Sequence, residues 1–248
     1  MLKEERHKMI MREVNLHNKV LSADLSRLLN VSEDTIRRDF KELIEAGRIL
    51  KVHGGAVSPS FHFPHNLQSD VYAREAKQAI AEKTKKLLKK DMTVLIEGGT
   101  TITELAKAIS NDLRATFFVL SPQVSIALSD HEKLDVISIG GKLSKNSNVH
   151  TGASVINQLA DIKTDLCIIG ANGFSVADGL TDSDWEIVQI IKAMMRSSQK
   201  VAVLSISEKL NTTQRLKVCD LQAIDYLITE LPPDDPFLAA YRGSVELL

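Results

Sequence analysis

Two arginines stand side by side in the stretch VSEDTIRRDFKELIEAG, residues 31–47. Guanidinium and ammonium groups bind phosphate, and a guanidinium can also bond a guanine base at two points. A helical wheel places Arg38 opposite a stripe of apolar side chains, with Arg37 at the edge of that stripe. This spacing assigns Arg38 to base edges, and it assigns Arg37 and Lys41 to backbone phosphates. A lone helix with these charges could also simply face solvent. The neighbouring segments must therefore show whether this helix binds nucleic acid.

Features on both sides of this helix favour nucleic-acid binding over a solvated surface. Ser22 and Ser32 precede two helical segments as N-caps, with the short turn LNVS between the segments. After Gly47, the segment RILKVHGGAV predicts a small β-wing whose glycines would let backbone amides approach phosphates. Asp39 is expected to hold a basic side chain or an amide in place. The predicted DNA-contacting residues are Ser22, Ser32, Asp34, Thr35, Arg37, Arg38, Lys41, Lys51, His53, Gly54 and Gly55.

A second group of residues could bind an anion. The segment LIEGGTTITELAKAI combines a strand, a glycine turn and a helix that starts near two threonines. The free amides and the dipole of a helix N-terminus attract phosphate, although no Walker-type lysine follows here. Two later loops each carry a lysine after a strand, and ligands gather at the carboxyl ends of strands in open α/β sheets. These candidate residues are Gly98, Gly99, Thr100, Thr101, Lys142 and Lys209.

The elements that position both groups are predicted to form two domains, the expectation for 248 residues. Residues 1–57 should form three short helices and the wing, a small α+β module. Residues 58–70 carry two prolines and no apolar periodicity, which predicts a linker. Residues 71–248 begin with a helix predicted over 71–90 and then alternate strands with helices, typical of a mostly parallel α/β sheet. The predicted strands are MTVLIE, FFVLS, DVISIGG, DLCIIG, KVAVLSI and DYLITE.

Composition narrows the class of protein. Hydrophobic residues make up 44% and charged residues 25% of the chain, as in globular proteins. The formal net charge of −1 combines a net of +2 over residues 1–57 with −3 over the rest. Neither a long apolar run nor a signal-peptide core occurs, which predicts a cytoplasmic protein without a membrane segment. The two cysteines lack a nearby Cys or His at metal-ligand spacing, so no disulfide, metal or other cofactor is expected.

The string VSEDTIRRDFKELIEAGRILKVHGGA resembles the N-terminal signature of the DeoR family of bacterial transcriptional regulators. The family pattern looks like VS..TIRRDL..L...G.I.R.HGGA, and the chain departs from it mildly, with Phe40 for Leu and Lys51 for Arg. The resemblance implies a winged helix-turn-helix, with its motif near Val20 to Asp39, that binds operator DNA. It also implies a repressor of carbohydrate metabolism genes.

Most of residues 71–230 resembles the C-terminal sensor domain of the same family. That domain is similar in fold to ribose-5-phosphate isomerase and binds phosphorylated sugars or related metabolites as effectors. Carried over by position, Gly99, Thr100, Thr101 and Lys209 look like contacts to the effector phosphate. The chain has Ser121-Pro122 where the family has Thr-Asn, and Ile206 where it has Asp, so an anionic ligand with unusual chemistry is the hypothesis.

Two other functions compete with a DNA-binding sensor. One is a sugar-phosphate isomerase, whose catalytic carboxylate would fall at Asn172 in the segment Gly170-Ala171-Asn172. An amide can bind a hydroxyl but cannot take up a proton, so Asn172 joins the effector-binding set and no catalysis is expected. The other is an adaptor whose helix-turn-helix contacts protein. Because helix-turn-helix proteins read paired half-sites, a homo-oligomer, dimer or tetramer, is expected.

Overall fold

A computed structural model of the protein describes residues 1–17, 19–59, 71–145 and 147–248. The chain divides into two units, Met1–Tyr72 and Ala73–Leu248. The linker predicted at 58–70 falls mostly on residues 60–70, which lie outside the described residues.

The first unit contains the three predicted helices and the predicted wing. Its elements are α1 (Lys3–His17), β1 (Lys19–Leu21), α2 (Ser22–Leu29), α3 (Glu33–Glu45), β2 (Leu50–Val52) and β3 (Gly55–Val57). The strands form an antiparallel sheet in the order β1-β3-β2. The strand β1 was not predicted, because three residues between two helices give no periodic signal. The core of this unit consists of Ile10, Val14, Val20, Leu25, Leu29, Ile36, Phe40, Leu43, Ile49 and Ala56.

Local chemistry explains the ends of α3 as predicted. The Ser32 side chain accepts a hydrogen bond from the Thr35 amide, which satisfies one of the free donors of the first turn. Gly47 follows the helix with a φ of +69°, a left-handed conformation that suits glycine. The prediction for Ser22 was wrong: it is the first residue of α2, and no side chain caps that helix. Leu28 is 57% exposed, so it does not share the buried face of its neighbours as expected.

The second unit is built on a parallel sheet, as the alternating pattern predicted. Its order is β15-β14-β12-β9-β4-β5-β6, and every neighbouring pair of strands is parallel. The sheet strands are β4 (Thr93–Ile96), β5 (Ala115–Val119), β6 (Leu134–Ser138), β9 (Thr164–Gly170), β12 (Ser198–Leu204), β14 (Tyr226–Ile228) and β15 (Glu246–Leu247). The α-helices are α4 (Arg74–Thr84), α5 (Thr100–Ala108), α6 (Pro122–Ser129), α7 (Ala153–Ala160) and α8 (Trp185–Arg196).

Several short elements of this unit escaped prediction. A hairpin pairs β7 (Lys142–Leu143) with β8 (His150–Thr151). A small antiparallel sheet joins β10 (Gly173–Ser175), β11 (Gly179–Asp182) and β13 (Leu216–Cys219). The helix predicted over 71–90 is shorter, because Ala73 has a left-handed φ of +52° before it and Thr84 leads into a 3-10 turn. No helix among the described residues is both long and apolar enough to span a membrane.

Candidate nucleic-acid interface and effector site

The helix α3 presents its basic side chains to solvent. Arg37 is 65% exposed and forms ion pairs with Glu33 at 3.1 Å and with Asp34 at 3.5 Å. Lys41 is 78% exposed and lies 4.0 Å from Glu45, one turn away. Arg38 is also exposed, and no hydrogen bond or ion pair of its guanidinium is found among the described residues. The guanidinium of Arg38 is therefore available to an outside partner without breaking an existing ion pair in this part of the chain.

A groove of about 520 Å3 lies between α3 and the wing. Apolar side chains such as Phe40 and Val52 form part of its lining. Of the predicted DNA-contacting residues, it is lined by Ser22, Arg37, Lys41, Lys51, Gly54 and Gly55. The other predicted residues, Ser32, Asp34, Thr35, Arg38 and His53, are not part of that lining. The fold thus brings Arg37 and Lys41 of the helix and Lys51 of the wing to one groove.

Two predicted contact residues have structural reasons of their own. Gly55 is buried, and a Cβ there would lie 1.9 Å from the Val20 carbonyl oxygen, so β3 needs glycine to pair closely with β1. This packing, and not an approach to phosphate, accounts for Gly55. The Ser22 hydroxyl lies 3.3 Å both from the Glu33 carboxylate and from the Gly54 carbonyl oxygen, which links α2, α3 and the wing. Gly54 itself is exposed, with a φ of +71°.

Asp39 has the structural role that the sequence suggested. Its carboxylate is 3% exposed and accepts two hydrogen bonds from the Arg6 guanidinium of α1, one of them 2.9 Å long. His7 lies 3.1 Å from the same carboxylate. Burial raises the pKa of Asp39, but the hydrogen bonds and charges of Arg6 and then His7 outweigh it and hold this pKa below its ordinary value. A buried ion pair therefore fastens α3 to α1.

The glycine turn of the second unit lies between β4 and α5. Gly99 is the N-cap of α5, with a φ of +102° that strains any residue with a side chain. Gly98 is packed closely: a Cβ there would lie 2.5 Å from a Val149 methyl carbon and 3.0 Å from the Ser121 Cβ. The loop after β4 therefore meets the loop after β5 and the β7–β8 hairpin. Thr100 begins α5, so the first turn of this helix has amides that the helix itself does not use.

A buried carboxylate and a half-buried ammonium lie at the carboxyl ends of neighbouring strands. The Glu97 carboxylate accepts a hydrogen bond of 3.0 Å from the Gly170 amide at the end of β9. The Lys209 ammonium donates a hydrogen bond of 3.0 Å to the Ala171 carbonyl, next to the half-buried Asn172. The structure thus places Lys209 at the carboxyl end of β9, near the Glu97 carboxylate, where the strand-end argument expected this lysine. Asn172 follows Ala171 in the same loop.

The pKa values of these groups reflect their burial. Burial raises the pKa of Glu97 to about 8; the Gly170 amide lowers it, Asp182 raises it further and Lys209 lowers it. Burial lowers the pKa of Lys209 to about 8, and the charges of Asp182 and Glu97 oppose that shift. The pKa of Asp182 is raised, mainly by burial. Such a group of interacting buried and half-buried charges is typical of a ligand-binding site.

Lys142 lies at the surface. Its side chain is 70% exposed, and its ammonium forms an ion pair of 3.2 Å with Glu186. The Glu186 amide bonds the Asp184 side chain, and the Asp184 amide bonds Asp182. The Lys142 ammonium is therefore held at the start of α8 by its ion pair with Glu186, and that partner is not a group of the glycine turn.

The structure shows where the residues that depart from the family pattern lie and what they contact. Ile206 is 3% exposed, so its side chain packs in the interior and offers no polar atom to a ligand. Ser121 is 2% exposed and packs near Gly98, while Pro122 begins α6, where proline fits because no amide donor is needed. The Ser207 amide bonds the Glu230 carboxylate at 2.9 Å, which anchors the loop before Lys209.

Sequence reasoning missed two carboxylates of the site and one buried lysine elsewhere in the second unit. Glu97 directly precedes the glycine turn and Asp182 ends β11, so a carboxylate at the end of a strand was the available signal. Lys77, in α4, is 6% exposed and has its pKa lowered to about 7 by burial and then by the charge of Lys209. Nothing in its sequence context distinguishes Lys77 from the other lysines of that helix. No group of three or more metal-ligating side chains converges in the described part of the chain.

The fold and the two sites define a DNA-binding protein with a separate ligand-sensing domain. The DeoR-like helix-turn-helix domain matches residues 6–61, and the DeoR C terminal sensor domain matches residues 73–231. The chain belongs to the DeoR family, and it is a DNA-binding transcriptional regulator.

Relatives match it over nearly their whole length. The HTH-type transcriptional regulator GolR of Listeria innocua is 32% identical over 91% of this chain and 90% of its own. The HTH-type transcriptional repressor GlcR of Bacillus subtilis is 32% identical over 100% of this chain and 96% of its own. The glycerol-3-phosphate regulon repressor of Escherichia coli is 26% identical over 94% of this chain and 93% of its own.

Among solved structures, ribose 5 phosphate isomerase A from Neisseria gonorrhoeae superposes with a TM-score of 0.43 at 16% identity. The match covers 56% of this chain and 54% of that one, so the chain spans about half the length of this structure.

Proposed function

We propose that the protein is a repressor of carbohydrate metabolism genes whose operator binding is controlled by a phosphorylated sugar or a related anionic metabolite. The observation that carries the proposal is the half-buried Lys209 ammonium, bonded to the Ala171 carbonyl at the end of β9. There the Gly170 amide bonds the Glu97 carboxylate that precedes the glycine turn of α5. A cation and the free amides of a helix N-terminus together suit a phosphate. Glu97 and Asp182 offer carboxyl oxygens to the hydroxyls of a sugar. The protein would act in the cytoplasm.

The names of the relatives support the same class of effector. One relative is a glycerol-3-phosphate regulon repressor, a name that refers to a phosphorylated polyol, and another is described as a transcriptional repressor. Ile206 stands where the family pattern has Asp, and its buried side chain offers no polar atom to a ligand. We therefore expect an effector that carries a phosphate, like the sugar phosphates that the family resemblance implies. Its remaining part, which polar side chains would recognise, should differ from those sugars.

We also propose that the protein is not an isomerase. By the resemblance the isomerase base would fall at Asn172, and an amide cannot take a proton from carbon at neutral pH. Glu97 has a raised pKa but is fixed by its hydrogen bond to the Gly170 amide. Turnover of ribose 5-phosphate by the purified protein would contradict this proposal.

A homo-oligomer fits this function, because helix-turn-helix proteins bind paired half-sites and their spacing must match that of two recognition helices. A ligand can change operator binding only by its differential affinity for two arrangements of the subunits. Either a dimer or a tetramer meets this requirement.

Footprinting of the purified protein on the DNA that flanks its own gene tests the proposal. We expect protection of a paired site, loss of binding as salt rises, and a changed footprint with one member of a sugar-phosphate panel. The variant Arg38→Ala should relax base preference at one position by roughly 1–3 kcal/mol, with Lys8→Ala outside α3 as the control. Absence of any footprint would point to an adaptor, and silence across the panel would contradict the effector class.

A further inference from the structure

The strand β6 forms one edge of the seven-stranded sheet, where it pairs with β5 alone among the described strands. Its five residues, Leu134–Ser138, keep an unbroken register with β5 and include neither a proline nor a bulge. Proteins usually protect a sheet edge by making it very short, by placing lysine or proline in it, or by bending it. The opposite edge is protected in the first way, because β15 has two residues. The edge at β6 lacks these protections and offers its backbone to another strand.

The pairing with β5 shows which backbone groups of β6 face outward. The Ile139 amide, directly after the strand, bonds the Val119 carbonyl of β5 at 2.9 Å. The peptide groups of neighbouring residues in a strand point to opposite sides, so the amides and carbonyls of Val136 and Ser138 point away from β5. Outward donors and acceptors in such a row are what an added strand recognises.

The side chains of β6 show that one face of the sheet is incompletely covered at this edge. Leu95 of β4, Phe118 of β5 and Ile137 of β6 are in register across three strands, so they share that face. Leu95 is fully buried, Phe118 is half-buried and Ile137 is 44% exposed. The apolar row therefore reaches the edge, whereas the packing that buries it ends before the edge.

The charges at the two ends of β6 are opposite in sign. Residues 130–135 hold three acidic side chains and one lysine, a net of −2, while residues 139–145 hold two lysines and no acidic residue, a net of +2. When the ion-pair partners Asp112 and Glu186 are included, the ends carry −3 and +1. An antiparallel copy of β6 brings the acidic end of each strand to the basic end of the other, whereas a parallel copy brings like charges together. The edge is therefore complementary to itself in the antiparallel direction.

We propose that β6 is the surface through which a second copy of this chain binds, with the two β6 strands paired antiparallel about a two-fold axis. Such a contact is self-complementary and joins the two sheets into one. This inference rests on the homo-oligomer of the proposed function and assigns a surface to it.

The positions of the outward backbone groups select the register of this pair. Val136 of one copy exchanges hydrogen bonds with Ser138 of the other, and the two Ile137 side chains face each other across the axis. The alternative register, centred on Val136, places Ile137 opposite the Asp135 carboxylate. The register centred on Ile137 buries the exposed isoleucine against its own copy and is therefore the proposed one.

A disulfide between two copies tests this register in the full chain, with the half-buried Cys219 replaced by Ser and the buried Cys167 retained. Ile137→Cys should give a covalent dimer under mild oxidation, because residues directly opposite in this kind of pair have Cα atoms about 4.5 Å apart. The matched control is Asp135→Cys, on the same face of the same strand. Its two thiols would be four residues, about 13 Å, apart and should not crosslink. Equal crosslinking of both variants would overturn the proposed pairing.

Sedimentation velocity of the full chain measures self-association directly. Ile137→Lys puts a charge at the axis, so the contact should weaken at least about tenfold, and a dimer should dissociate to monomers or a tetramer to dimers. Ile126→Lys is the control, because Ile126 is 61% exposed but lies on α6; it should change self-association less than about twofold. Both variants should keep the circular dichroism spectrum of the wild type, which shows that the chain remains folded.

The outcomes separate this inference from the proposed function. If Ile137→Lys associates as tightly as the wild type, the subunits meet elsewhere, so this inference fails and the proposed homo-oligomer stands. If the wild type is monomeric at every concentration and protects a single half-site on DNA, the proposed homo-oligomer fails and this inference fails with it.

Discussion

Asp39 shows how a residue of the recognition helix can serve DNA binding without meeting DNA. Its neighbours Arg37 and Arg38 are exposed, whereas its own carboxylate is buried against Arg6 of α1. A carboxylate near phosphates would be repelled, which is why the sequence alone suggested an inward role. The partner of Asp39 could not be predicted, because Arg6 is 33 residues away in the sequence.

The variant Asp39→Asn tests this ion pair. Loss of the charge leaves Arg6 buried without its counter-ion, so α3 should open more easily by on the order of 3 kcal/mol. The control is Glu42→Gln, which removes the exposed Lys3–Glu42 pair and should cost less than about 1 kcal/mol. Hydrogen exchange of the α3 amides in the full chain measures both changes.

The pH dependence of the same measurement has a definite sign. The pKa of Asp39 is lower in the folded protein than its ordinary 3.8, so its contribution is present above that value and is lost as pH falls through the folded pKa. The wild type and Asp39→Asn should therefore differ less and less in the free energy of opening of α3 as the pH falls below about 4. A difference that stays constant down to pH 3 would mean that the charge of Asp39 does not stabilise α3.

At the scale of elements, the glycine turn brings three loops together. There is no space for a side chain at position 98, because the loop after β4 packs against the β7–β8 hairpin and the loop after β5. The sequence predicted a phosphate-binding turn from the same glycines, but it could not reveal this packing. That hairpin was not predicted at all.

The variant Gly98→Ala should destabilise the second unit by roughly 1–3 kcal/mol, because the new Cβ meets the stiff side chain of Val149 at 2.5 Å. The double variant Gly98→Ala/Val149→Ala should be more stable than the sum of the two single changes predicts, since the truncated residue makes room. Thermal unfolding of the wild type, the two single variants and the double variant measures the interaction between the two changes as a double-mutant cycle. Strict additivity would show that Gly98 is needed for another reason.

The elements differ in how well local sequence predicted them. The cap at Ser32, the left-handed Gly47 and the six predicted strands follow from residue types close in the chain, so pattern and propensity sufficed. The strands β1, β10, β11 and β13 have three or four residues each, too few for a periodic pattern, and the β1–β3 and β11–β13 pairs join segments far apart in the sequence. Burial of Lys77, Glu97 and Asp182 is set by tertiary packing, and their charge argued for the surface.

At the scale of the whole molecule, the two units use charge in opposite ways. The first unit carries a net of +2 over residues 1–57 and exposes the cations of α3 to solvent. The second carries the acidic excess and encloses several of its charges. The net charge of −1 therefore says little about DNA binding, and the pH dependence of stability should differ between the units.

The buried charges predict an unusual pH profile for the second unit. The pKa of Glu97, about 8 when folded against an ordinary 4.5, means that the folded unit keeps a proton that the unfolded chain has released, so stability falls as pH rises between these values. The pKa values of Lys77 and Lys209, about 7 and about 8 against 10.5, have the opposite effect, because the unfolded chain binds the extra protons and stability rises toward pH 10.5. Stability should therefore pass through a minimum at about pH 7–8.

The variant Glu97→Gln tests whether Glu97 causes the loss of stability that we expect as the pH rises toward 8. Its amide oxygen can still accept the hydrogen bond from Gly170 but cannot ionise, so the fall between about pH 5 and pH 8 should flatten while the alkaline rise persists. Trp185, the one tryptophan of the chain, is 64% exposed in the folded protein, so the melts are followed by circular dichroism instead of tryptophan fluorescence. The melts must avoid phosphate buffers, because the proposed site would bind the buffer and mask the minimum. A wild-type profile without a minimum, or an unchanged acidic limb in Glu97→Gln, would show that Glu97 is not the group that titrates.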